Sequence, residues 1–169
     1  RARPGQLNYA SSGNGSAFHL GMELFKRMAG VDIVHVPFKG SALSIGAMLA
    51  GDVQMMLIGT TTGLPLAKSG KARALAMAGG KRSPLAPELP TIAEAGLPGY
   101  EISSWFGAVV PAGTPAPVIG KLHADFVRAL QSADLRERLA PSGYEVIANT
   151  PQQFSGHMQT QAKRLARLI

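Results

Sequence analysis

The segment LNYASSGNGSAFHL, Leu7 to Leu20, holds the residues of this chain best suited to gripping an anion. Ser12, Gly13, Asn14, Gly15 and Ser16 join a strand pattern over 7–11 to an amphipathic helix pattern that opens at Ser16 and Ala17. Such a junction aims unpaired backbone N–H groups and hydroxyls at one point. A helix N-terminus also carries about half a unit of positive charge, so that point favours a carboxylate or a phosphate. The segment does not build a nucleophile. A G-x-S-x-G elbow around Ser16 would need glycines at 14 and 18, where the chain has Asn14 and Phe18. The G-x-x-x-x-G-K-[ST] phosphate loop is absent as well. The plain alternative is an ordinary βα turn capped by Ser and Gly.

Two further segments fall at the same place in their own βα units. Val36-Pro-Phe-Lys-Gly40 ends the second strand pattern, and Gly59-Thr-Thr-Thr-Gly63 ends the third. In a doubly wound sheet, ligands sit at the carboxyl ends of the strands. Phe38, Lys39 and Gly40 therefore read as a cleft-lining turn, with Lys39 able to pair with a carboxylate or, failing that, with Asp52 or Glu23. Thr60 and Thr61 read as a hydrogen-bonding rim, or else as a plain loop with an N-capping Thr. The four histidines, His19, His35, His123 and His157, have no metal-ligand spacing. His19, one turn into the first helix, reads as a packed or hydrogen-bonded structural residue, the alternative being that it reaches the cleft. It is also the near histidine that a hydrolase built on Ser16 would need as its base, and no acid stands ready to orient it.

The elements that must position these groups alternate. Strand patterns cover 7–11, 31–36, 53–58 and 72–78, the last two mostly apolar apart from Gln54 and Arg73 and read as strands covered on both faces. Helix patterns cover 16–29, with Ala17, Leu20, Leu24 and Met28 on one face and Gly30 as cap, then 41–50 and 64–69. This βαβαβαβ order predicts an α/β fold, a mostly parallel sheet flanked by helices. Pro and Gly dominate from Gly79 to Gly99, where Thr91-x-x-Glu94 forms a capping box. Beyond it the pattern predicts a strand over 101–110 around Trp105, itself read as a core aromatic, with a hinge-region residue as the alternative. Helices follow over 118–130 and 134–139, a strand over 144–147, and a last helix from the Thr150-Pro-x-Gln153 cap to about Leu168. The seven methionines read as adaptable core filler.

Composition narrows the function classes. The chain has 169 residues, 46% hydrophobic and 16% charged, which suits a packed globular protein. Its net charge of +7 is spread along the sequence and only 6% of residues are aromatic, whereas a nucleic-acid binder concentrates basic charge in a patch interleaved with aromatics. With no cysteine there is no disulfide, thiolate metal site or Cys nucleophile. No apolar run approaches a membrane span.

Taken in order, several blocks carry a resemblance. They are Tyr9-Ala-Ser-Ser-Gly-Asn-Gly-Ser16 with His19-Leu20, His35-Val-Pro-Phe-Lys-Gly40, Leu49-Ala-Gly-Asp-Val-Gln54 and Ser69-Gly-Lys-Ala-Arg-Ala-Leu-Ala76. Lys81-Arg82, Glu88-Leu-Pro-Thr-Ile-Ala-Glu-Ala-Gly96, Trp105-Phe-Gly-Ala-Val-Val-Pro-Ala-Gly-Thr-Pro115 and Thr150-Pro-Gln-Gln-Phe154 complete them. The chain resembles the C-terminal part of the tripartite tricarboxylate transporter substrate-binding proteins, the Bug or TctC-like family, over nearly its whole length. The resemblance implies a type II, two-lobed Venus-flytrap fold of the periplasmic binding protein kind. It implies a periplasmic, non-enzymatic protein without a cofactor, which captures a small organic carboxylate and passes it to membrane permease subunits. The Ser12–Ser16 loop would be ligand-facing, with contacts made by amides, hydroxyls and bridging waters. Residues 1–104 would form the ligand-binding lobe, and 105–169 the C-terminal return into another lobe whose first half lies outside this sequence. Helices in 105–169 would then expose apolar faces and favour self-association. The chain departs from the family pattern at Gln54, where many relatives carry Asp. The readings that compete with this one are an α/β hydrolase-like enzyme and a basic nucleic-acid-binding module.

Overall fold

The computed structural model describes residues 4–166. They form two compact units, one ending at Ser104 and the other beginning at Trp105.

The first unit opens with three βα steps. They are β1 (Asn8–Ser11) and α1 (Ala17–Ala29), β2 (Val34–Pro37) and α2 (Ser41–Ala50), and β3 (Met55–Met56) and α3 (Thr60–Lys68). The strands pair in parallel in the order β2-β1-β3, with Tyr9 opposite both His35 and Met55. Successive strand side chains face opposite sides of a sheet. Tyr9 accordingly packs with Met22 of α1 and Ile33 on one face, and Ala10 with Ala47 of α2 and Val53 on the other. Helices cover both faces, and β1 is central, with Tyr9, Ala10 and Ser11 fully buried.

Helix α1 starts where Ser16 Oγ accepts the His19 N–H (3.2 Å) and stops at Gly30, whose φ of 60° lets its N–H reach the Lys26 carbonyl. Its inward face differs from the predicted one. Leu20, Gly21 and Met22 are buried, while Ala17 and Met28 are exposed. Gly21 sets this rotation: Leu57 and Ile102 come up against the helix where a larger residue would hold its Cβ, and Tyr100 Oη donates to the Gly21 carbonyl (3.1 Å).

Several predicted strands are shorter or missing. The strand expected over 31–36 sits at Val34–Pro37 on the sheet edge, where Pro37 leaves no central ladder bond unmade. The run 53–58 pairs only at Met55 and Met56. The segment 72–78 forms no strand; Met77 makes one bridge to Thr91, and the Ile102 N–H donates to the Ala78 carbonyl. An apolar run becomes a strand only where a neighbour offers a ladder, and here the pairing with 90–92 stops at the single Met77–Thr91 bridge. The Thr91–Glu94 box is formed in both directions, at 2.8 and 3.1 Å, but closes a turn and opens no helix. The helix expected over 64–69 begins earlier, at Thr60.

The second unit contains α4 (Ala116–Gln131), α5 (Ala133–Leu139), a 3-10 turn (Ala140–Ser142) and α6 (Pro151–Leu165). The complete Thr150/Gln153 capping box opens α6; the end expected near Leu168 lies outside the described residues. Neither 101–110 nor 144–147 forms a strand. Trp105 is not a core residue: it stays 42% exposed and packs edge-on against Phe154 and His157. None of the described residues in this unit is buried. No helix of the described residues is long and apolar enough to cross a membrane.

Candidate functional site

In a parallel sheet every strand ends on the same edge. The three segments singled out in the sequence therefore meet there: 12–16 after β1, 38–40 after β2 and 59–61 after β3. The order β2-β1-β3 reverses direction at β1, the arrangement that opens a crevice at the carboxyl ends of strands. Backbone bonds tie the first two segments together. The Phe38 N–H donates to the Ser11 carbonyl and the Gly40 N–H to the Ser12 carbonyl, each at 3.1 Å. The N-termini of α1, α2 and α3 all open at this edge, capped by Ser16, Gly40 and Gly59.

The cradle itself differs from the expected ring of free amides. Gly13 N–H donates to Ser11 Oγ (3.2 Å), Ser16 N–H to the Gly13 carbonyl (3.2 Å), and Gly15 N–H to His19 Nδ1 (3.1 Å). A short loop full of donors satisfies them internally when an acceptor is within one turn. The amides of Asn14, Ala17 and Phe18 have no partner among the described residues. Gly13 and Gly15 have φ of 137° and 75°, conformations that allow the chain to fold back over itself this tightly.

Lys39 is exposed, and no carboxylate among the described residues pairs with it. Glu23 is committed elsewhere: it accepts from Tyr9 Oη (2.6 Å) and Lys26 Nζ (2.8 Å). Phe38 packs beside the Ala10 cluster under the turn. Thr60 and Thr61 are not a loop but the first turn of α3, and the Thr62 and Gly63 N–H groups bond back to the Gly59 carbonyl.

The sequence did not single out what lies beneath the cradle. Ser11 Oγ is 2.7 Å from His35 Nε2, and the His35 ring is stacked between Tyr9 (4.7 Å) and His19 (4.2 Å). Burial and the neighbouring His19 push the His35 pKa down. Burial and the Glu23 carboxylate push that of Tyr9 up. Burial works against the Glu23 charge, yet the hydrogen bonds from Lys26 and Tyr9 win and hold its pKa below the ordinary value. The signal for this cluster is register: His35 faces Tyr9 across the ladder and His19 lies one turn into the helix above, which is visible only once β1 and β2 are paired.

Among the described residues no group of three or more His, Asp or Glu side chains is placed to hold a metal. A cavity of about 350 Å³, lined by Arg136, Leu139, Ala140, Tyr144 and Val146, belongs to the second unit and contains none of the predicted site residues.

The model of the tripartite tricarboxylate transporter family receptor matches residues 1–169. Protein BugT of Bordetella pertussis is 34% identical over 169 residues, which is 100% of this chain and 52% of that protein. Among solved structures, R. palustris Rpa4515 with adipate is 38% identical with a TM-score of 0.90, covering 99% of this chain and 56% of that one. MatC (Rpa3494) from Rhodopseudomonas palustris with bound malate is 33% identical with a TM-score of 0.82, covering 97% of this chain and 57% of that one. The chain thus spans about half the length of the relatives it matches.

Proposed function

The chain belongs to the tripartite tricarboxylate transporter receptor family, whose fold is that of periplasmic binding proteins, and on that footing we propose that it captures a small organic carboxylate. The carboxylate would then pass to the membrane permease subunits of a transporter, in the periplasm. The observation that carries this reading is the convergence of three βα junctions on one sheet edge, beside an exposed Lys39 that no carboxylate among the described residues pairs. Three helix N-termini and one ammonium group favour an anion there. The adipate and malate bound by two similar proteins are of the same chemical class.

In this reading Ser12–Ser16 and Phe38–Gly40 line the ligand, and Thr60 and Thr61 present α3's first turn to it. Residues 1–104 form the ligand-binding lobe, and 105–169 belong to a second lobe. The protein acts without a cofactor and without covalent chemistry. Ser11 and His35 do have the spacing of a nucleophile and its base. Ser11, however, is fully buried, its hydroxyl is also shared with Gly13, and the Glu23 carboxylate serves Tyr9 and Lys26. A nucleic-acid role lacks a basic patch with stacking aromatics.

The test is a thermal-shift and calorimetric screen of this chain against mono-, di- and tricarboxylates, adipate and malate included, with uncharged amides of the same length as controls. Binding of at least one acid and none of the amides is the expected result. A panel that is silent throughout would overturn the reading.

A further inference from the structure

We propose that His19 is a proton-operated plug of the Ser12–Ser16 cradle, so that carboxylate capture at this loop takes up a proton. The inference rests on the carboxylate-binding reading above and adds how that site is regulated.

The geometry fixes the tautomer. A backbone N–H can only donate, so the 3.1 Å bond from Gly15 N–H to His19 Nδ1 requires a lone pair on Nδ1 and leaves the ring proton on Nε2. The neutral ring thus occupies a donor that the loop would otherwise offer to an anion. In the imidazolium form both ring nitrogens are donors. Nδ1 can then no longer accept, the Gly15 N–H is released, and a positive charge stands beside the loop. Both changes favour a carboxylate. The backbone N–H of His19 stays on Ser16 Oγ throughout, so the helix start survives the switch.

The groups facing His19 decide which ring takes the proton. On β2, His35 is stacked on it at 4.2 Å, and behind His35 stands Tyr9 of β1. On α1 itself, Glu23 lies one turn further along with Lys26 bound to it. Two imidazolium rings face to face repel each other, so charging one ring disfavours charging the other. His35 is the poorer acceptor of the two, since it is tied to the buried Ser11 hydroxyl and its charged form is disfavoured by burial. The Glu23 carboxylate, also close enough to act on both rings, favours the charge, and Lys26 opposes it at His35.

Two measurements on the 169-residue chain test the proposal. The first needs no ligand: the Gly15 amide is followed by ¹H–¹⁵N NMR as the His19 ring titrates. It should move with the His19 curve and exchange faster with water below the midpoint. A Gly15 amide indifferent to His19 overturns the plug, whatever binds. The second is calorimetry with adipate in two buffers of different ionisation enthalpy, repeated over a pH series that covers the His19 curve found by NMR. Wild type should take up a fraction of a proton and gain affinity as the pH falls, by up to about tenfold per unit. His19→Ala should bind with no proton uptake, and His19→Gln, which keeps a neutral acceptor, should also lose the pH slope. Uptake that persists in both variants overturns the assignment to His19. Should the Gly15 amide follow His19 while no carboxylate binds at any pH, the carboxylate reading fails and the coupling falls with it.

Discussion

Ser16 closes the cradle and starts α1 with the same hydroxyl, since its Oγ accepts the His19 N–H. That double role makes Ser16→Asp informative. Asp is as good an N-cap as Ser, so the helix is retained. A carboxylate ligand would instead meet a like charge, worth on the order of 1–4 kcal/mol at the effective dielectrics found near a protein surface. The affinity for adipate should fall roughly tenfold to thousandfold, with circular dichroism unchanged; undiminished binding would remove the ligand from this loop. Glu23 offers a second test at this scale. Its carboxylate is held below the ordinary 4.5 against the opposing effect of burial, by Lys26 and Tyr9. The stability it contributes is present above pH 4.5 and is lost as the pH falls through the lower folded value. Glu23→Gln should therefore cost about 1–2 kcal/mol at neutral pH and flatten the acid limb of a urea-unfolding series between pH 5 and 3. An equal slope in both proteins would show that Glu23 is not the group being titrated.

At the level of elements, α1 is placed by what it lacks. Exchanging a helical Gly for Ala ordinarily stabilises by about 1 kcal/mol. At Gly21 the added Cβ would stand 2.6 Å from Leu57 Cδ1 and 3.0 Å from Ile102 Cγ2, the latter on a stiff β-branched side chain. Overpacking of this kind costs about 1–3 kcal/mol, so Gly21→Ala should lower the unfolding midpoint and not raise it. The helices are the elements that the sequence disclosed most directly. Ser16 and Gly30, the start at Ser41, Gly51, and the Thr150/Gln153 box are local signals, and each stands where the pattern placed it. The strands expected over 72–78, 101–110 and 144–147 did not form. A helix makes its hydrogen bonds within itself, whereas a strand depends on a neighbour that its own residues do not specify.

At the scale of the molecule, the second unit carries the consequence of unpartnered elements. Val118, Leu122 and Phe126 recur at four-residue spacing along α4 and are all exposed, as are Phe106, Val109 and Ile147 at more than 70% each. A contiguous apolar stripe of this kind is a surface that wants a cover. We expect the 169-residue chain to pair with a second copy through α4, exchange of elements between protomers being a low-cost route. Light scattering during gel filtration should report more than one chain per particle at micromolar concentration. Phe126→Glu, a charge set within the stripe, should shift the particle toward monomer. A clean monomer in wild type would mean that the exposed stripe tolerates water.

The sequence alone determined the βα alternation as far as α3, the helix caps, the family and the three loops that meet at the sheet edge. All of these follow from short-range patterns or from motif order along the chain. Only the tertiary structure decided how the cradle spends its donors. That Gly15 is held by His19, that Ser11 and His35 lie beneath it, and that Tyr9 is locked to Glu23 depend on β1 pairing with β2 and on α1 turning its Gly21 side inward. Such contacts join residues far apart in sequence, and their distances are set by the packing of whole elements, which local residue types do not encode.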